Sequence, residues 1–459
     1  MPTPAATDTG RRAGIMLGTM AQRTTHDAPA ANRFARSGAI LLVGTLLSNL
    51  LSYAFFAVLS RRMVPADLGG VGSLINLSVI AGIPALGLQL VTARLVAQRI
   101  HEPDRAAGLQ RRLLKASLAL GLGTAVALGA LSPALAHLLD VPIAAVVVLG
   151  LVMVPIALLL TAQGLLQGRE RFAALALILA LVGIGKFMAA LLADRVGTGV
   201  TAVVGLYGLA IVAVSVVGTW VALANTGANT STEVIHRTRQ PGGSARLVRL
   251  VTAAVVPTSG LLFLASVDVL LARHVLTADD SGQYTIGALF EKAAFWGTSF
   301  LATLFYPAMT DPWRRRGALL RALAVTSVVG VAGVLVAAPL GHPLARLVGG
   351  PSFEALGPDV WRFTALGVAL SLVQVLAYAG VAAATVRMGV AMWLVAGAGT
   401  GWVLWQANTV SDVLTALLAF SVVLVAVGLV IERETLRPPL VSGPSLSALR
   451  RARSDRHRR

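Results

Sequence analysis

The chain has 459 residues, of which 56% are hydrophobic and 13% charged, and its mean hydropathy is +0.78. Soluble domains carry about a quarter charged residues, so this composition excludes one and predicts a polytopic membrane protein. A formal net charge of +18 would suggest nucleic acid in a soluble chain. Here the basic residues fall in loops and tails, where they read as orientation signals with some anionic-lipid contact, and no nucleic-acid partner is expected.

Residues 1–36 are polar and rich in Pro, Ala, Thr and Arg, which predicts a disordered tail. The first apolar run, 37–60, is too long for the core of a signal peptide and has no small-residue cleavage site after it. A spanning helix needs about 20 mainly apolar residues. Twelve stretches meet this: roughly 37–60, 72–93, 113–137, 141–166, 173–193, 199–224, 249–275, 283–308, 318–340, 360–384, 388–406 and 410–431. Barrel strands are excluded, because these runs are about twice a barrel strand's length and do not alternate. The expected fold is therefore all-α, with about twelve transmembrane helices.

Of the 38 Lys and Arg residues, 30 lie in alternate connections, the span ends beside them and the two tails, against six on the opposite side. The positive-inside bias places both termini in the cytoplasm of a plasma-membrane protein. The face opposite is called the outer face below. The longest inner connection, 225–248, contains Pro241-Gly242-Gly243-Ser244 and divides the spans six and six. The expected organisation is thus a tail (1–36), a six-helix lobe (37–224), a cytoplasmic linker (225–248), a second six-helix lobe (249–431) and a basic cytoplasmic tail (432–459). Outer connections of no more than about 20 residues leave no room for a soluble catalytic domain, and catalytic residues and cofactors are not expected. There is no GxxxxGK[ST] loop to bind a nucleotide. With no cysteine and no histidine at ligand spacing, no metal site is expected either.

A repeat supports the division. Shifted by 212 residues, Arg61–Gly72 falls on Arg273–Tyr284, matching Arg61 with Arg273, Ala66 with Ala278, Asp67 with Asp279 and Gly70 with Gly282. Because each half has an even number of spans, the halves share one orientation and face one another across a cleft.

Within the spans, Asp268, Glu291, Lys292 and Lys186 are ionisable groups where hydrocarbon is expected. A charge there costs roughly 2.5–3.5 kcal/mol on insertion scales and tends to face a protein interior or a wet cavity. At 1.5 Å per residue, Asp268, Lys292 and Lys186 each lie about 12 Å below an outer helix end, taking Leu276, Tyr284 and Asp194 as those ends. Two readings stay open. Asp268 and Lys292 form an ion pair that locks consecutive helices, or the charges line the cleft, with Lys186 facing them from the other lobe. Glu291 and Lys292, about 100° apart on a helix, are not expected to enter one narrow seam. Trp296 shares the face of Lys292 and serves either packing or stacking on a sugar. Arg61 and Arg62 read as snorkelling interface residues.

Asp268 followed by Asp279-Asp280-Ser281-Gly282-Gln283-Tyr284, with Pro65-Ala66-Asp67-Leu68-Gly69 and Gln167–Phe172, resembles the multidrug/oligosaccharidyl-lipid/polysaccharide exporter superfamily, and within it the polysaccharide-transporter branch of O-antigen-type flippases. The resemblance implies a flippase that moves polyprenyl-diphosphate-linked oligosaccharide between leaflets by alternating access. Membrane lipids and polysaccharide-assembly enzymes would be its partners, and the chain would act as a monomer. It further implies that Lys186, Lys292 and Trp296 contact the headgroup in the cleft and that Asp268 and Glu291 couple or gate. A cation-coupled multidrug antiporter of the same superfamily is the alternative, since Asp268 and Glu291 suit a cationic substrate. A polytopic polymerase or ligase comes third.

The absence of native cysteine makes the orientation testable. Asp280→Cys is expected to react with an impermeant maleimide added to intact cells and Gln240→Cys only after lysis; the reverse pattern would invert the topology.

Overall fold

The computed structural model describes residues 38–98, 103–224, 244–311 and 313–436. The expected tail 1–36, the linker up to residue 243 and the tail beyond 436 lie outside the described residues. Two boundaries move: helix already begins at Ser244, inside the expected linker, and a short helix occupies Arg433–Leu436 in the expected tail.

The first half holds α1 (Gly38–Leu59), α2 (Pro65–Ala81), α3 (Ile83–Gln98), α4 (Pro103–Leu138), α5 (Ile143–Gly168), α6 (Phe172–Val196) and α7 (Val200–Leu223). The second holds α8 (Ser244–Val275), α9 (Ala278–Met309), α10 (Arg315–Ala337), α11 (Gly341–Gly349), a 3-10 stretch (Pro351–Asp359), α12 (Val360–Ala382), α13 (Arg387–Gln406), α14 (Val410–Ile431) and α15 (Arg433–Leu436). Among the described residues ten helices are long and apolar enough to cross a membrane, eleven when α2 and α3 count as one bent span. The remaining span is α9, whose 32 residues extend about 48 Å. Its mid-helix Glu291 and Lys292 keep it off the apolar count. The molecule is a multi-pass, all-α membrane protein.

Local sequence sets the breaks. Pro65 occupies the first turn of α2, where its missing N–H costs nothing. At the other end Gly82 and Pro84 interrupt the hydrogen-bond ladder, and α3 departs at 43°. Thr277 and Thr409 cap α9 and α14 by accepting from the amides of Asp280 and Asp412. The 212-residue repeat persists through the halves: the α2–α3 pair corresponds to α9, and α4 corresponds to α10 with α11.

Small residues let the helices touch backbone to backbone, as membrane packing without a hydrophobic driving force requires. Gly164 of α5 sits on α3, where an added Cβ would lie 2.6 Å from the Gln89 carbonyl; Gly183 of α6 sits on α1, 2.7 Å from Ser48 Cα on the same construction. Several inner basic residues do more than orient the chain. Arg169 and Arg171 donate to the Ala222 and Val221 carbonyls at the end of α7, and Arg315 donates to the Ala379 carbonyl at the end of α12 while pairing with Glu432 at 3.2 Å.

Gly164→Ala should lower the melting temperature in detergent, by the equivalent of about 1–3 kcal/mol for forced overpacking. Gly123→Ala, whose added Cβ meets nothing within 4 Å, should leave it unchanged. Equal melting of the two variants would count against backbone contact as the packing constraint.

Candidate functional site

The α8–α9 hairpin carries the ionisable groups of the second lobe into the interior. Asp268 is 1% exposed and Glu291 0%, and Lys292 Nζ lies 3.6 Å from Asp268 Oδ2. The ion pair read as one alternative in the sequence is therefore present. Its geometry differs from the expected one. Because α9 starts at Ala278, Lys292 lies about 21 Å along that helix, deeper than a start near Tyr284 implied, whereas Asp268 lies about 10 Å from the end of α8. The lysine stem closes the gap. Side chains tilt toward the N-terminus of their helix, which for α9 is the outer end, so Nζ reaches back toward Asp268. The same reach explains why Glu291 and Lys292, expected to diverge, both serve one cluster: Glu291 stays within electrostatic range of Asp268 and Lys292.

None of the four carboxylate oxygens of Asp268 and Glu291, nor Lys292 Nζ, makes a hydrogen bond to another described protein group. Two tyrosines approach the acids. Tyr284, fully buried and edge-on to Phe363 at 5.0 Å, lies within electrostatic range of Asp268 and Glu291, and Tyr53 of α1 within range of Glu291. Their hydroxyls likewise lack partners. With two acids and one base, the cluster carries one negative charge when all three are ionised.

Asp268 also lines a cavity of about 20 Å³ enclosed by α8, α12, α13 and α14, with room for about one water. Thr400 and Ser421 contribute its hydroxyls, and Thr400 Oγ1 has no hydrogen-bond partner. The polar part of an otherwise apolar lining, a carboxylate and two hydroxyls, is all oxygen, which suits water or a hard monovalent cation rather than a soft metal.

Lys186 stands apart from this cluster. It is half-buried in the first lobe with its ammonium 5.6 Å from the Tyr207 ring centre, and among the described residues it has no ion pair. Trp296 shares the Lys292 face of α9 as expected, half-buried, with its ring edge-on to Phe295 at 4.7 Å. Sequence reading missed Tyr53, Thr400 and Ser421, since isolated hydroxyls in apolar spans carry no pattern. Tyr284, seven residues before Glu291 on the same helix face, was findable by spacing.

No family model matches the sequence, and no curated protein matches it. Solved structures do. The chain is similar to a multidrug resistance MATE family transporter of the MOP superfamily in its inward-facing conformation, with 16% identity, 87% of this chain and 98% of that one covered, and a TM-score of 0.68. An outward-facing conformation of such a transporter aligns at 16% identity over 88% and 94% of the two chains, with a TM-score of 0.59. A MOP superfamily transporter from Pyrococcus furiosus, described as having a binding pocket of reverse polarity, aligns at 15% identity over 88% and 95%, with a TM-score of 0.57. The likeness is one of fold: this chain has the two-lobe architecture of these transporters.

Breaking one side of a buried pair costs about 3–5 kcal/mol, while replacing both partners is far milder. Lys292→Met alone should therefore lower thermal stability strongly, and adding Asp268→Asn should restore much of it. A double variant as unstable as the sum of the singles would show that the 3.6 Å pair is not energetically coupled.

Proposed function

We propose that the chain is a cation-coupled exporter of the multidrug antiporter type, working in the plasma membrane with both termini cytoplasmic. The two six-helix lobes, 37–224 and 249–431, rock about the cleft between them. The observation that carries this reading is the position of Asp268, between Lys292 and a cavity that fits one small cation. Coupling needs a group that is neutralised by a proton or cation in one state and not in another. Asp268 suits this role: a cation in the cavity competes with Lys292 for the carboxylate. Glu291, buried beside it, supplies the second acid of the pair.

The neighbours of similar fold include multidrug resistance transporters. They favour this reading over the flipping of lipid-linked oligosaccharide, to which the sequence resemblance gave first place. One observation keeps the flippase as the second reading. Lys186 is an ionisable group inside the first lobe with no acidic partner among the described residues, and such an ammonium attracts a diphosphate or another anion. On that reading Lys292 and Trp296 would contact the same headgroup, lipids and assembly enzymes would be the partners, and the chain would act as a monomer.

Cells expressing the Asp268→Asn or Glu291→Gln variant at normal level should lose energy-dependent efflux of a cationic dye, while Lys186→Ala retains it. Full efflux in both acid variants would remove the coupling proposal. Accumulation of lipid-linked oligosaccharide in a deletion strain, with unchanged drug susceptibility and with Lys186→Ala reproducing it, would establish the flippase instead.

A further inference from the structure

The matched arginines of the repeat do more than the snorkelling the sequence suggested for Arg61, which is exposed. Each reaches across the cleft and binds the C-terminal end of a helix in the other lobe. Arg273, on α8 of the second lobe and 6% exposed, donates to the Leu139 carbonyl at 2.7 Å, the Asp140 carbonyl at 2.6 Å and the Ala66 carbonyl at 2.9 Å, all in the first lobe. Its own lobe supplies Ser281 Oγ at 2.8 Å, and the Asp140 carboxylate lies 3.5 Å away. Arg61, at the end of α1, donates to the Val348 carbonyl at 3.2 Å and to the Leu347 carbonyl, in the last turn of α11 in the second lobe, and also to the Ala57 carbonyl of its own helix. Ser60 adds a bond to the Val348 carbonyl at 3.3 Å. Residues 139–140 follow α4, and α11 belongs to the segment that repeats α4. The two contacts are therefore pseudo-symmetric copies of one device. Each puts a guanidinium on a helix end that carries excess negative charge.

Between the two arginines, glycines bring the lobes into close contact. An added Cβ at Gly282 of α9 would overlap the Pro65 carbonyl of α2, one at Gly72 would overlap Thr285, and one at Gly69 would lie 2.5 Å from Ser281 Oγ. The Arg273 and glycine contacts lie at the end of α8 and in the outer halves of α2 and α9, and Arg61 joins the end of α1 to α11, so this face is closed.

The geometry points to a double arginine latch, Arg61 and Arg273, that holds the outer gate shut over a glycine seam and must release for the lobes to part on that side. The bonds are charge-assisted, roughly twice as strong as neutral ones, and each ordinary charged hydrogen bond shifts an equilibrium about tenfold or more. Arg62 is the internal control. Its ion pair with Asp194 at 2.8 Å and its bonds to the Ala190 and Leu191 carbonyls all stay within the first lobe.

The latch rests on the proposed motion of the lobes but not on what is carried, and its test reads lobe separation rather than export. Spin labels on Val64→Cys and Asp280→Cys, both exposed, bracket the gate in the full chain reconstituted in lipid nanodiscs. The distance distribution without substitution should be dominated by the short, closed separation. R273A and R61A should each raise the ratio of long to short separations by about tenfold or more; R273K, which keeps the charge but reaches fewer acceptors, should fall between; and R62A should change nothing. G282A should favour the long separation most, since its methyl group cannot fit when the gate is closed. An unchanged distribution in R273A, R273K and R61A, or equal opening by R62A, would overturn the latch. If export fails while the latch variants behave as stated, the transport reading is wrong and the gate is not.

Discussion

The constraint on which the second lobe depends is the cost of keeping three ionisable groups out of water. Each desolvated ion costs several kcal/mol even after relaxation, and mutual attraction repays this only with good geometry. Here repayment is incomplete. Lys292 and Asp268 approach to 3.6 Å, the ammonium is matched by two acids, and Glu291 is left in excess. A cluster of this kind is poor as a structural rivet and well suited to a change of state. Protonation of one acid, or entry of a cation beside Asp268, removes the imbalance. The first lobe shows that the fold does not need these charges, because its equivalent positions are Phe56, Val79 and Ile80.

The asymmetry between the halves has a second part. Gly82 and Pro84 break the second span of the first lobe, whereas Ala294 and Trp296 stand at the equivalent positions of α9, which runs unbroken. The broken span of the first lobe thus has no acid at these positions, and the unbroken α9 of the second has one. A break lets a helix change direction there, while an unbroken helix links the movements of its two ends. The straight one carries Glu291 and Lys292 near its middle and Ser281 and Gly282 at its outer end.

Much of this was legible in the sequence, and the rest was hidden for identifiable reasons. Apolar run length gave the spans, because hydrocarbon thickness leaves little freedom. The Asp268–Lys292 pair was legible as one of two readings, because so few charges lay within reach of each other. The depth of Lys292 was not, since polar residues at 278–283 concealed a helix start that the Thr277 cap fixes. The roles of Arg61 and Arg273 were hidden too. Their acceptors are backbone carbonyls, which leave no residue signature, and Leu139, Asp140, Leu347 and Val348 carry no mark of having been chosen. The match of Arg61 with Arg273 in the repeat was the one available clue.

Transport requires that occupancy of an interior site alter the closure of a gate, and coupling of that kind is a free-energy difference between two states shared by both sites. Long pathways are hard to justify physically, and none is needed in this molecule. Asp268 and Arg273 are five residues apart on α8, and Ser281, to which Arg273 donates, is ten residues from Glu291 on α9. The site and the Arg273 half of the latch are therefore two levels of one helical hairpin. The ion pair tethers α9 to α8 at mid-depth, and Arg273 tethers the same two helices to the first lobe at the surface. Loosening the lower tether leaves the Arg273–Ser281 bond as a polar tie between α8 and α9. The seam at Gly282 and Pro65 has no slack to absorb even a methyl group, so a slide of an ångström at that end is enough to spoil the closed contact. The close fit that seals the gate is also what makes it responsive to charge two turns below.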